Sequence, residues 1–295
     1  MSTPRILVTA PAGQVGWELR RTLAPLGEVV AAGRSGPLAL DLADPDRIRA
    51  VVREVRPDLV VNAAAYTAVD KAEEERDLAM AVNATAPGIL AEEAARLGAP
   101  LIHYSTDYVF DGTKGTPYVE DDAPNPVNVY GESKLAGERA VQEAGGAAVI
   151  LRTSWVYGLR GRNFLLTMRR LAAEKAQLNI VDDQIASPTW SRMIAETTAA
   201  AVARAGVGGL QERAGLYHLA AAGETSWCGF ARRIFELMAE REGATVPAVQ
   251  GLPTADYPTP AQRPLYTKLD CSRLERTWGV YLPEWEDALA LCLGN

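Results

Sequence analysis

Ile6-Leu7-Val8-Thr9-Ala10-Pro11-Ala12-Gly13-Gln14-Val15-Gly16 begins as a short apolar run and ends as a turn of small residues. The run Ile6 to Ala10 predicts a fully buried strand. The segment that follows, Trp17 to Leu26, carries Leu19, Leu23 and Leu26 at helical spacing. Strand, glycine-containing turn and helix together make an opening suited to a dinucleotide. Glycine lets the backbone approach a pyrophosphate closely, and a helix N-terminus presents N–H groups and a favourable dipole to it. The spacing is that of Gly-x-x-Gly-x-x-Gly with Ala10 in the first position. Alanine there is expected at negative φ, with its methyl narrowing the turn. On this motif alone, a tight connection that holds no ligand remains the alternative.

Working outward, Glu28 to Ala32 predicts a second strand that ends in Gly33-Arg34-Ser35. An acid at that point holds a ribose 2′-hydroxyl, whereas an arginine accommodates a 2′-phosphate, so Arg34 favours NADPH and leaves NADH as the second choice. Leu38 to Leu42 is short and apolar, with Asp41 near its end, and Asp44-Pro45 has the chemistry of a cap and first position for a helix through Arg56. Asp58 to Ala65 reads as a buried strand leaving into small residues, Leu78 to Leu97 as a helix, and Leu101 to Asp107 as a strand ending in hydroxyls and an acid. This alternation predicts a Rossmann-like, doubly wound parallel α/β sheet in which Gly13, Ala65 and Thr106 emerge at one edge.

Tyr130-Gly131-Glu132-Ser133-Lys134 places a phenol and an ammonium four residues apart, hence on one face of a helix. That pair suits reduction of a carbonyl. A lone pair of this kind is weak, since any helix can carry one, so its meaning depends on the Gly-rich turn and on Ser105-Thr106-Asp107 upstream.

Together these residues resemble the extended short-chain dehydrogenases/reductases and, within them, the dTDP-4-dehydrorhamnose reductase family. The likeness runs through Gly13-Gln14-Val15-Gly16-Trp17-Glu18-Leu19, Arg56-Pro57-Asp58, and Asn62-Ala63-Ala64-Ala65 to Thr67-Ala68-Val69-Asp70-Lys71-Ala72-Glu73. It continues in His103-Tyr104-Ser105-Thr106-Asp107-Tyr108-Val109-Phe110, Asn128-Val129-Tyr130-Gly131, Arg152-Thr153-Ser154-Trp155-Val156-Tyr157, Gly215-Leu216-Tyr217-His218-Leu219 and Tyr257-Pro258-Thr259-Pro260. The resemblance implies NADPH-dependent reduction of the C4 keto group of dTDP-4-dehydro-L-rhamnose. It makes Tyr130 the acid, Lys134 the ammonium that lowers the phenol's pKa from its usual value of ~10, and Thr106 the hydroxyl at the carbonyl. It also implies cofactor contacts from Gly13, Gln14, Val15, Gly16, Asp41, Leu42, Ala65, Tyr66 and Thr67, joined by Tyr130 and Lys134. Asp107 and Trp155 become contacts to the sugar, and Arg263, in the proline-rich stretch Pro253 to Pro264, a contact to the diphosphate. Without the resemblance, Trp155 reads as a core aromatic at a strand end.

Residues 1–157 are thus expected to form mainly the cofactor domain. Residues 158–295 are expected to form mainly a smaller α/β substrate lobe, with a segment near 180–205 returning to the cofactor sheet. Gly206-Val207-Gly208-Gly209 reads as a loop. Some members of the family hold Mg²⁺ between protomers through glutamates. Glu18 could serve, but Arg192 stands where a second glutamate is expected, so no metal is assigned and a homodimer stays open.

A net charge of −7, from 30 basic and 37 acidic residues, offers no basic footprint for nucleic acid. The expected partner is a dTDP-linked deoxy sugar. Cys228, Cys271 and Cys292 are odd in number and widely spaced, as in a reduced cytoplasmic protein, and no uncharged run approaches membrane-spanning length. Three other readings stay open: a reductase giving the 6-deoxy-L-talose product, a nucleotide-sugar epimerase or dehydratase, and a non-catalytic dinucleotide-binding subunit.

Overall fold

β1 (Arg5–Thr9) leads through α1 (Gln14–Thr22) to β2 (Glu28–Ala32), then α2 (Pro45–Val55) and β3 (Leu59–Asn62) in the computed structural model, which describes residues 3–294. Two short helices, α3 (Val69–Ala72) and α4 (Arg76–Met80), precede α5 (Ala86–Leu97), β4 (Leu101–Thr106), α6 (Val129–Glu143) and β5 (Ala148–Thr153). The remainder comprises β6 (Val156–Tyr157), α7 (Phe164–Glu174), β7 (Gln177–Val181), β8 (Ile185–Ala186), β9 (Thr189–Trp190), α8 (Ser191–Gly209) and β10 (Gly215–His218). It closes with β11 (Thr225–Ser226), α9 (Trp227–Glu242), β12 (Ala248–Leu252), α10 (Ser272–Trp278) and α11 (Trp285–Cys292).

The central sheet runs β10-β5-β4-β3-β1-β2, and every pairing is parallel. From β1 the chain winds first to β2 on one side and then to β3 on the other, so the order reverses between β1 and β3. In a Rossmann-like sheet of this kind, the crevice at the C-terminal ends of those two strands is where a ligand sits. Alternate side chains of one strand serve two cores. Ile6 and Val8 meet Leu19, Leu23 and Ile194 on one face, while Leu7 meets Ile48, Val51 and Leu90 on the other. Parallel strands buried on both faces read as continuous apolar runs, which is why β1 and β3 were legible.

Local chemistry fixes the helix starts that matter. Asp44 accepts the Asp46 and Arg47 N–H groups at the head of α2, with Pro45 in the first turn. Asn128 accepts the Gly131 N–H at the head of α6, which sets the entry of the helix that carries Tyr130. The stretch expected as one helix from Leu78 widens into a π turn at Ala81–Thr85. The widening turns the Asn83 amide outward, where its Oδ1 accepts the Tyr66 N–H at 2.8 Å and its Nδ2 donates to the Tyr66 carbonyl at 3.0 Å. α6 passes so close that a Cβ on Gly137 would lie 2.0 Å from the Asn83 carbonyl oxygen.

The short apolar stretch Leu38 to Leu42 contributes a single bridge, Gly33 to Ala39. Two further differences from the sequence reading are local. The chain expected to be a loop at Gly206 is a kink, because Gly206 (φ 67°, ψ 162°) interrupts α8 and helical geometry resumes to Gly209. The return to the cofactor sheet extends past residue 205, since Gly215–His218 pairs with β5 as the sixth strand. Beside the sheet, β7 and β12 form a parallel pair whose core joins Leu165 and Met168 of α7 to Phe230, Ile234 and Phe235 of α9.

Arg152 of β5 and Glu138 of α6, each 2% exposed, are joined by two hydrogen bonds of 2.8 and 2.7 Å. Removing one member of such a pair strands the other charge away from water. Glu138→Ala should therefore lower the unfolding free energy by about 3–5 kcal/mol, read from urea denaturation. A loss under 1 kcal/mol would mean that water reaches Arg152.

Candidate active site

Two adjoining cavities of about 280 and 320 Å³ lie over the C-terminal ends of β1 and β3 and share Ala10, Gly13, Ala64 and Ala65. The first is lined by Gly33, Arg34, Asp41 and Leu42, and the second by Gln14, Val15, Thr67, Tyr130 and Lys134. The head of α1 has no side-chain cap and no acid in its first turn, so its N–H groups face this space unopposed.

Ala10 departs from expectation, because its φ is +50°, in the left-handed region. Its N–H donates to the Ala32 carbonyl at 3.0 Å while its own carbonyl accepts the Gly13 N–H at 2.9 Å. Reaching both partners requires the reversal, which costs an alanine about 1–2 kcal/mol. Gly16 lines neither cavity. A Cβ there would stand 2.2 Å from the Ala10 carbonyl oxygen, so its part is to let α1 approach β1.

The predicted cofactor contacts separate in space. Arg34 is exposed, and among the described residues its side chain has no hydrogen-bond or ion-pair partner. Asp41 turns onto its own loop, accepting the Ala43 N–H at 3.0 Å. Gln14 is tied across the mouth, where it accepts from Asn163 at 2.8 Å. Tyr66 does not line either cavity, because its hydroxyl donates to Glu75 at 2.6 Å. Its ring packs near Tyr130 around Ala72, Ala79 and Val129.

Thr106 ends β4 facing the start of α6. Its hydroxyl donates to Asp107 Oδ1 at 3.1 Å and accepts the Tyr108 N–H at 3.2 Å. Asp107 Oδ2 accepts from Thr267 at 2.5 Å, and burial raises this carboxyl to about 6 against the lowering effect of those hydrogen bonds. Burial likewise pushes the Tyr130 phenol up to about 12, opposed by its bond with Thr106 and assisted by the Asp107 charge. The expected lowering of the phenol by Lys134 is thus absent from the protein alone. Lys134 is itself buried and brought down to about 8 by desolvation, with Glu138 acting the other way, and its Nζ donates to the Tyr104 carbonyl at 2.6 Å.

A third cavity, about 520 Å³, lies between Tyr108 and the β7–α9 region and is lined by Asp70, Phe164, Leu178, Gln184, Trp227 and Arg263 among others. Arg263 donates to the Ala261 carbonyl at 3.1 Å and pairs with Asp70 at 2.9 Å. Trp155 is partly exposed at φ +43° and stacks on Trp227 with ring centroids 3.5 Å apart and planes 6° from parallel. It is no core aromatic.

The sequence reading missed Trp227 and Thr267, and it used Asp70 and His103 only as part of the family likeness. Trp227 reads in sequence as the first residue of a helix, and nothing local marks its partner 72 positions upstream. Glu18 and Arg192, weighed for a metal, pair instead with Arg21 and Glu196. Among the described residues no group of three or more His, Cys, Asp or Glu side chains is placed to hold a metal ion. No helix of the described residues is long and apolar enough to cross a membrane.

A family model described as RmlD substrate binding domain matches residues 4–295. The curated dTDP-4-dehydrorhamnose reductase of Burkholderia thailandensis is 49% identical, over 98% of each chain. The chain belongs to the dTDP-4-dehydrorhamnose reductase family. The family enzyme of Escherichia coli strain K12 is 45% identical over 95% of this chain and 94% of its own. Among solved structures, the Bacillus anthracis member of the family, in complex with NADP, superimposes with a TM-score of 0.90 at 34% identity over 99% of both chains. The Thermus thermophilus UDP-glucose 4-epimerase, at 22% identity and a TM-score of 0.78, shares the fold.

With Arg34 unpaired at the rim of the first cavity, Arg34→Ala should weaken NADPH binding roughly tenfold and leave NADH within about twofold, measured by fluorescence titration. Equal losses for the two would show that Arg34 does not contact the 2′-phosphate.

Proposed function

We propose that this chain reduces the C4 keto group of dTDP-4-dehydro-L-rhamnose to give dTDP-L-rhamnose, with NADPH as hydride donor. The observation that carries the reading is the convergence of Tyr130 and Lys134 on the inner end of a dinucleotide-shaped cleft, next to a larger cavity lined by aromatic side chains and Arg263. Bound NADPH supplies the hydride. The chain supplies the proton and the alignment.

With its pKa near 12, the Tyr130 hydroxyl is protonated at any working pH, the state needed to donate to the C4 oxygen as hydride arrives. Thr106, already bonded to Asp107, orients that oxygen and the phenol together. Once the phenol has given up its proton, the Lys134 ammonium is the nearby positive charge that stabilises the phenolate. Arg263 exchanges Asp70 for the diphosphate, since a guanidinium matches phosphate geometry in paired hydrogen bonds. Trp155 and Trp227 form an aromatic wall for the sugar and its nucleoside. Gly13, Gln14 and Val15 hold the pyrophosphate, with Asp41 and Leu42 beside the adenine, and Ala65 and Thr67 along the nicotinamide side. Residence in the cytoplasm, where the three free cysteines stay reduced, is part of the same proposal.

The direct test is NADPH oxidation with freshly generated dTDP-4-dehydro-L-rhamnose, followed by NMR of the sugar. Product with the L-rhamnose configuration is expected; the talose configuration would keep the chemistry and change the product, and absence of oxidation would refute the reductase reading. Tyr130→Phe should reduce kcat by on the order of 10²–10⁴ with the NADPH Kd within about twofold, and retained turnover would remove Tyr130 as the acid. For the free enzyme, kcat/KM for NADPH should be level below pH 8 and fall as pH rises past about 8, where Lys134 loses its charge. An alkaline limb above pH 10 would contradict that assignment.

A further inference from the structure

Lys134 Nζ faces, besides the Tyr104 carbonyl, the Nε2 of His103 at 3.5 Å. His103 is fully buried, and its other nitrogen, Nδ1, lies 3.1 Å from Asn62 Nδ2. The orientation of the Asn62 amide decides what His103 must be. Asn62 Oδ1 accepts the Ala64 backbone N–H at 3.3 Å and the Thr9 hydroxyl at 2.7 Å. A backbone N–H can only donate, so the oxygen of the amide faces Ala64 and the NH₂ faces His103. Asn62 therefore donates to Nδ1, which must be bare. A neutral imidazole with a bare Nδ1 carries its proton on Nε2, the nitrogen aimed at Lys134. Full burial keeps the ring neutral by holding its pKa well below the ordinary value, and the nearby Lys134 charge acts in the same direction.

We propose that His103 is a positioning residue, locked by Asn62 as the Nε2–H tautomer, that presents a donor to Lys134 Nζ and so favours the neutral amine over the ammonium. The proposal rests on the reading of Lys134 as part of the reducing site and adds the group that tunes it. An amine has a lone pair to receive the Nε2–H while one of its own hydrogens serves the Tyr104 carbonyl. An ammonium has no lone pair, and two N–H groups then point at each other. The other groups facing Lys134 do not reverse this preference. On its own helix, Tyr130 is neutral, and Glu138 favours the ammonium while both its oxygens are engaged by Arg152 of β5. Of the other polar side chains lining the same cavity, Thr67, Ser105 and Thr153 are uncharged, and Arg162 is a second cation, which disfavours an ammonium. The arrangement brings the loss of the lysine's charge down to neutral to slightly alkaline pH, so that the contact at Nζ sets how much ammonium is present to face the phenol.

The chain has two histidines, which makes the tautomer directly observable. His218 Nδ1 lies 3.1 Å from the Tyr118 carbonyl and 3.2 Å from the Asp270 carbonyl, so its proton belongs on Nδ1, the opposite tautomer. Long-range ¹H–¹⁵N spectra of the full-length protein labelled at histidine should show one ring of each tautomer, neither titrating between pH 6 and 9. His103→Asn should delete the Nε2–H set. Two Nδ1–H rings, or an Nε2–H ring that titrates in this range, would overturn the proposal without reference to turnover.

The consequence is read at the lysines, Lys71, Lys114, Lys134, Lys175 and Lys268, labelled with ¹³C at the ε position. In the unmodified protein one resonance should titrate near pH 8 and vanish in Lys134→Met. In His103→Asn, whose side-chain oxygen can still receive the Asn62 amide, that midpoint should move up by about one unit. The alkaline limb of kcat/KM for NADPH should move with it. An unmoved midpoint, with activity lowered equally at every pH, would assign His103 a structural part only. Should His103→Asn fail to fold, the tautomer spectrum of the unmodified protein still decides. If the protein reduces no sugar, both spectra remain interpretable, so loss of the reductase reading and loss of this one are separate results.

Discussion

At Ala10 the chain turns left-handed so that one residue can both close β1 against Ala32 and receive the Gly13 N–H. This turn sets where α1 begins, how closely it lies on β1 and which way its free N–H groups point. Gly16 follows from it, since any side chain would strike the Ala10 carbonyl. Because β1 lies between β3 and the edge strand β2 and borders the reversal in strand order, the turn also locates the cleft. A bulkier residue at Gly13 or Gly16 would push the helix away and disperse the N–H groups that make an anion site.

The inner end of the cleft is governed by a different constraint, the cost of burying polar groups. Tyr130, Lys134, Asp107 and His103 all have pKa values moved toward the neutral form, and in each case desolvation is the largest cause. The site keeps these groups under cover and meets their hydrogen-bonding demands from backbone and neutral partners: the Tyr104 carbonyl for Lys134, Thr267 and Thr106 for Asp107, Asn62 for His103. The fully charged pair nearby, Arg152 with Glu138, lies one helical turn below Lys134, where Arg152 Nε and Nη2 engage both carboxylate oxygens.

Much of this was legible in the residues. The apolar runs of β1 and β3 name buried parallel strands, Asp44-Pro45 names a helix start, and the four-residue spacing of Tyr130 and Lys134 puts both on one face because the helical period demands it. The illegible parts share one property: each depends on a partner distant in sequence. Ala10 takes positive φ because Ala32 and Gly13 pull on it from two sides. The π turn at Ala81–Thr85 opens because Asn83 serves the Tyr66 backbone. Trp155 leaves the core because Trp227 offers a stacking face, and Tyr66 leaves the cleft because Glu75 takes its hydroxyl.

By itself, then, the amino-acid sequence determined the parallel α/β class, the cleft-forming turn and the placing of Tyr130 and Lys134 on one helix face. Those properties follow from periodicity, backbone freedom and side-chain chemistry acting over a few residues. Tertiary structure alone decided the ionisation of those groups and the amide orientation that sets the His103 tautomer. It alone decided too that Arg263 pairs with Asp70. These depend on depth of burial and on hydrogen-bond partners brought together from separate strands and helices, quantities that come into existence only when the chain is folded.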